Sequence, residues 1–123
     1  MSISNYLENK VLDKVFRNTD FTVTTLHVSL HTAAVGETGA NEVTGGSYAR
    51  QTATFDVAAS GATANSGALN FTLMPAVTIT DFGIWDAASV GNFLWGGVLA
   101  ASKVVNLNDT VQFAIGDIDI TLD

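Results

Sequence analysis

Short stretches of alternating apolar and polar residues recur along most of the chain, and this period of two predicts strands. In residues 25–32, Leu26, Val28 and Leu30 alternate with His27, Ser29 and His31, so the first set is expected inward and the second outward. Residues 48–57 repeat the pattern with Ala49, Ala53, Phe55 and Val57 toward a core, and residues 68–73 with Leu69, Phe71 and Leu73. Met74-Pro75 breaks that strand. Residues 77–85 begin in one phase, Val77 and Ile79, and end in the other, Phe82 and Ile84; a bulge near Asp81 or Gly83, or burial of both faces, would account for the slip. A strand over 93–100, a turn over 106–109 and a strand with Val111, Phe113 and Ile115 inward follow. The chain is expected to finish inside its sheet, with Ile118, Ile120 and Leu122 on one side and Asp117, Asp119, Thr121 and Asp123 on the other.

One segment has a different period. Over residues 5–16, Leu7, Val11, Leu12, Val15 and Phe16 form a helical stripe flanked by Glu8, Lys10, Asp13 and Lys14. Asn5 with Glu8 is one candidate capping pair and Ser4 a competing cap, while Asn18 and Asp20 end the helix. The stripe must lie on a sheet or on a partner subunit. Residues 33–47, with Gly36, Gly39, Gly45 and Gly46, are expected to form a loop too polar and flexible for the core; residues 58–67 read as a loop or an edge. About seven or eight short strands with no crossover helices predict an all-β fold, an antiparallel, jelly-roll-like β-sandwich with one N-terminal helix. A single domain over 1–123 is expected, with the helix at about 5–17 and the sandwich at about 22–123.

Composition sharpens this. Of 123 residues 47% are hydrophobic and only 14% charged, enough for a core and against disorder. So sparse a charged surface implies cover by Thr, Ser and Asn, or by another protein. A net charge of −7 with five basic residues argues against a nucleic-acid partner. Three of those five, Lys10, Lys14 and Arg17, sit on the helix. There is no cysteine, hence no disulfide framework. No apolar run approaches the roughly 20 residues of a membrane span, and Glu8, Asn9, Lys10, Asp13 and Lys14 stand where a signal peptide would be apolar. A soluble product with no membrane partner is expected.

Candidate chemistry is thin. His27 and His31 share a strand face roughly 13 Å apart, too far for one zinc ion, and read as surface or interface residues. Asp117, Asp119 and Asp123 share a face with Asp109 in the preceding turn, a possible cation site; a solvated face that guards a strand edge is the commoner arrangement. No Gly-x-Ser-x-Gly elbow or phosphate loop is present, and Ser47 reads as a turn serine. Phe82, Trp85, Phe93 and Trp95 would suit a sugar-stacking platform, but facing strands place such residues in a core, with Trp85 the one expected to be partly exposed. No catalytic residue, cofactor or metal ligand is assigned.

Four segments, in order, resemble a known family: Asn5-Tyr-Leu-Glu-Asn-Lys-Val-Leu-Asp, Gly45-Gly-Ser-Tyr-Ala-Arg-Gln, Asp81-Phe-Gly-Ile-Trp-Asp-Ala and Gly116-Asp-Ile-Asp-Ile-Thr-Leu. Together they resemble small virion proteins of tailed bacteriophages often labelled tail-fibre proteins. The resemblance implies a non-enzymatic virion component, assembled in the host cytoplasm, with the major capsid protein or other virion proteins as partners and homo-oligomerisation expected. Two roles follow: a capsid decoration or cement protein, placed first because shaft-forming repeats are absent, and a tail-fibre or tail-tip module that binds a host receptor or another tail protein. A small depolymerase is a distant third. Lys10, Lys14 and Arg17 are the expected docking residues, with 68–73 or the last strand as edges open to a neighbour's sheet.

Overall fold

The computed structural model describes residues 2–122. Strands occupy 40% of the chain and helix 11%, and every strand pairing is antiparallel, so the predicted all-β, sandwich-like class with one N-terminal helix holds. In order the elements are β1 (Ser2–Ile3), α1 (Asn5–Arg17), β2 (Leu26–His31), β3 (Gln51–Ala53), β4 (Ala62–Ala64), β5 (Leu69–Phe71), β6 (Val77–Trp85), β7 (Phe93–Val105), β8 (Val111–Phe113) and β9 (Asp119–Thr121).

Five strands form one sheet in the order β1-β7-β6-β2-β3, and two ribbons, β4-β9 and β5-β8, complete the framework. Leu30 opposite Phe82, Val28 opposite Ile84 and Ile84 opposite Trp95 place large apolar side chains in rows across the central strands. With Leu69, Phe71, Met74, Val111, Phe113 and Ile118 they make the main core. The predicted phase slip in β6 is real: the register against β7 shifts between Ile79 and Asp81, so Asp81 faces Val98 and Ile79 faces Lys103. Three extra residues of β7 bulge out there, and both faces of β6 beyond Asp81 are buried, so both halves of the expectation apply.

Ser4 wins the capping competition. Its hydroxyl accepts from the Leu7 N–H at 3.2 Å and donates to the Phe93 carbonyl at 2.7 Å, tying the start of α1 to the sheet; such a cap contributes about 1 kcal/mol. The Asn5 N–H goes instead to Glu37. Asn18, in the left-handed region at φ 51°, closes the helix as expected, its N–H on the Asp13 carbonyl.

Several expected faces are different in the structure. His27, Ser29 and His31 are buried, not outward, because residues 33–47 lie across that side of the sheet. That loop is held to β2 by Thr32 N–H to Asn41 O and Val43 N–H to Leu30 O, and it buries Val35, Gly39 and Val43 rather than staying out of the core. The predicted strand 48–57 shrinks to Gln51–Ala53, leaving Ala49 and Val57 exposed. Leu73 and Ile115 are exposed, since Leu73 takes a positive φ at a turn that buries Met74 in its place, and β8 ends at Phe113. Ile118 is buried, Ile120 half-buried and Leu122 exposed; Asp123 lies outside the described residues.

Candidate functional site

The two faces of the large sheet carry two different environments. On the face covered by residues 33–47, small residues run in a row, Ser29 opposite Gly83 opposite Gly96. A Cβ at Gly83 would stand 2.6 Å from Ser29 Oγ and 2.8 Å from His31 Nε2, so this trough requires glycine. Into it pack Trp85 and Phe93, edge to face at 5.2 Å, with Val35. Trp85 is therefore buried, correcting the expectation of partial exposure, because the folded loop and an arginine close over it. Phe82, Phe93 and Trp95 are core residues as expected.

A chain of hydrogen bonds runs through this layer. Trp85 Nε1–H donates to Ser29 Oγ at 2.8 Å, Ser29 Oγ lies 2.6 Å from His31 Nε2, and His31 Nδ1 lies 2.7 Å from the Ala40 carbonyl. A carbonyl can only accept, so Nδ1 carries the proton and Nε2 accepts from the serine. Burial lowers the His31 pKa and keeps the ring neutral. Ser29 and His31 are within proton-transfer distance, but both are fully buried and the outer ring nitrogen meets a backbone carbonyl rather than a carboxylate. The pair joins loop to sheet and is closed off from solvent.

Above it, Arg50 grips Glu42 in two-pronged fashion, Nε to Oε2 at 2.8 Å and Nη2 to Oε1 at 2.9 Å. Its Nη1 holds the carbonyls of Ala87 and Val90, and its guanidinium lies 3.8 Å from the Trp85 ring centroid. Burial alone would raise the Glu42 pKa; the Arg50 and Tyr48 hydrogen bonds and the arginine charge hold it below the ordinary value. Burial pushes the Tyr48 phenol up, and its O–H donates to Glu42 at 2.9 Å. Three of the four segments singled out in sequence meet here or beside it: Tyr48 and Arg50 come from one, and Trp85 and Ala87 from another, while the start of α1 reaches Glu37 of the covering loop. Sequence reasoning did not find Glu42 and Arg50 as a pair, since they stand eight positions apart across irregular chain and no periodicity links them.

The opposite face ends in an open groove. Its walls are α1 and the β4-β9 ribbon; Ile3, Leu7, Val11, Trp95, Ile120 and Leu122 line about 300 Å³ of it. A second hollow of about 190 Å³, with Leu26, Phe55, Ile84 and Leu94, shares the Leu7, Trp95 and Ile120 surfaces. The lining of both is almost wholly apolar. The Trp95 indole N–H has no hydrogen-bond acceptor among the described residues, and neither has His27 Nδ1.

α1 continues past the groove. None of its residues is buried; Leu12 is 53% exposed, Val15 66% and Phe16 78%. Lys10 lies 5.5 Å from the Tyr6 ring centroid, Lys14 pairs with Asp20 at 3.3 Å and Arg17 with Asp13 at 3.2 Å. The three cations thus share one helix, as the spacing predicts, but two already have exposed acidic neighbours. Asp119 stands exposed on β9, and Asp117, likewise exposed, accepts from the Ala114 N–H through Oδ2 at 2.8 Å to close a turn. Among the described residues no group of three or more His, Asp or Glu is placed to hold a metal ion. The segments 68–73 and the last strand each pair on one side only, β5 with β8 and β9 with β4.

The sequence model of the family described as podophage GP4 fiber I protein gp80 matches residues 2–121. No curated protein matches the chain.

Proposed function

From the premise that this chain belongs to the podophage GP4 fiber I protein gp80 family, a structural component of the phage virion, we propose that it works as a fibre-type joining module of the tail. The observation that carries this reading is the family match over nearly the whole chain. It favours the tail-fibre role over capsid decoration, which the sequence alone had put first. The geometry supports a role in assembly: one sheet face is closed by the protein's own loop and hydrogen bonds, and the other ends in an apolar groove beside a bare amphipathic helix. The functional unit in this reading is a single domain over residues 1–123, acting without catalysis by covering and joining other virion proteins.

In the same reading α1 is the docking element, its apolar side Leu12, Val15 and Phe16 making contact and Lys10, Lys14 and Arg17 steering it. Rim charges of this kind change association more than fold stability. Charge reversal at Lys10, Lys14 and Arg17 is expected to lower occupancy on purified particles while the thermal melt stays in place; equal occupancy of mutant and wild type would reject α1 as the docking element. Copy number relative to the major capsid protein, by quantitative mass spectrometry of purified virions, tests the location. A handful to a few dozen copies is expected; hundreds, in simple ratio to the capsid subunit, would return the protein to the shell as a decoration protein.

A further inference from the structure

We infer that the surface α1 docks against is a second copy of this chain, with the apolar end of one helix seated in the groove between the neighbour's α1 and its β4-β9 ribbon. This rests on the reading of α1 as a docking element and names its partner. The first argument is stability. A helix of 13 residues is marginal in water on its own, and most helical stability comes from packing an apolar face. Here the first half of the stripe, Leu7 and Val11, lies against the groove, whereas Leu12, Val15 and Phe16 meet nothing of the same molecule that buries them. The sequence therefore spends three large apolar residues on a surface that its own fold leaves open.

The second argument is complementarity. The molecule carries both halves of one contact, a projecting apolar ridge and an apolar recess, on adjoining parts of the same surface. An isologous pairing about a two-fold axis, or a small closed ring, fills both at once. Charge agrees: Glu8 and Asp13 against Lys10, Lys14 and Arg17 leave α1 one net positive charge, while the remaining residues hold ten carboxylates and two cations, a balance of −8. A cationic helix is thus attracted to the body of another copy, and Asp56 and Asp119 sit on the segments that form the ribbon wall.

Sedimentation velocity of the purified full chain over a concentration series tests the inference. The wild type is expected to associate into a dimer or small ring, Phe16→Asp to stay monomeric, and Val104→Asp, an exposed valine at the far end of β7, to associate like wild type. Circular dichroism melts check that each variant is folded. In NMR spectra the Trp95 indole N–H resonance is expected to move between dilute and concentrated wild type. A wild-type chain monomeric up to about 1 mM, the weak limit of specific association, or association that Phe16→Asp leaves intact, would overturn the inference. So would association with no movement of the Trp95 resonance. If the chain is monomeric but charge reversal on α1 still lowers particle occupancy, the second copy is rejected while α1 keeps its docking role with another virion protein.

Discussion

The two faces of the five-stranded sheet each bury a tryptophan, Trp85 on one and Trp95 on the other, yet they end differently. On the side of Trp85 a connected network fills the layer, Trp85 to Ser29, Ser29 to His31, His31 to Ala40, and Arg50 to Glu42, Ala87 and Val90, with His27 Nδ1 the one buried side-chain group left without a partner there among the described residues. On the side of Trp95 the indole N–H has no acceptor and three large residues of α1 face solvent. Two tryptophans one β6–β7 register step apart thus have opposite fates. A face that is closed from within gains nothing from a partner, whereas a face left open is where association can lower the free energy. The main core underlies the Trp95 side as well, so the contrast lies at its rim, where the proposed joining would take place.

Substitution of Gly83 tests the closed side most severely. Gly83→Ala forces a Cβ against Ser29 Oγ, His31 Nε2 and Phe93, with no flexible end able to yield without breaking the hydrogen-bond chain. A loss of about 3 kcal/mol, the upper end for overpacking, is expected in the denaturant midpoint; an unchanged midpoint would mean the trough is not close-packed. Arg50→Ala comes next. It strands Glu42, whose side chain is only 23% exposed, and frees the 86–92 loop, so a cost of about 2–3 kcal/mol is expected. Arg50→Lys should recover little of it, since an ammonium cannot make the paired contact or stack on Trp85.

A smaller effect is expected from pH. The folded-state pKa of His31 lies below the ordinary 6.5 because burial disfavours the charged ring. The unfolded chain therefore binds the extra proton first as pH falls, so this stability is complete above about 6.5 and declines toward the lowered folded value. Glu42 has the same sign lower down: its contribution is present above the ordinary 4.5 and is lost as pH drops through its depressed value. Melting temperature should start to fall below pH 6.5, and His31→Gln should flatten the part of the curve just below that pH. A slope indistinguishable from wild type in that variant would remove His31 from the account. The smallest effect belongs to the open side: Val15→Ser should shift the stability of the isolated monomer by less than about 0.5 kcal/mol, as urea unfolding at low protein concentration would show. A larger loss would mean that α1 is already packed within one copy.

The local periods were legible in the residues themselves. The helix over Asn5–Arg17, the alternation in Leu26–His31, the slip inside Val77–Trp85 and the turn at Asn106 to Asp109 all follow from which side chains a period of 3.6 or 2 brings together. The cationic cluster on α1 was legible for the same reason. What alternation cannot say is whether each face it defines is covered. His27, Ser29 and His31 look like a solvent face in sequence and are buried because the glycine-bearing loop 33–47 folds back over them, fixed by contacts with residues that lie tens of positions away, such as Trp85 and Phe93. Leu12, Val15 and Phe16 look like a core stripe and stay exposed because the body of the protein ends beneath Val11. Which residues share a face is a property of local backbone geometry, so the sequence determines it. Which faces are closed depends on where distant segments come to rest, and only the tertiary structure decides that.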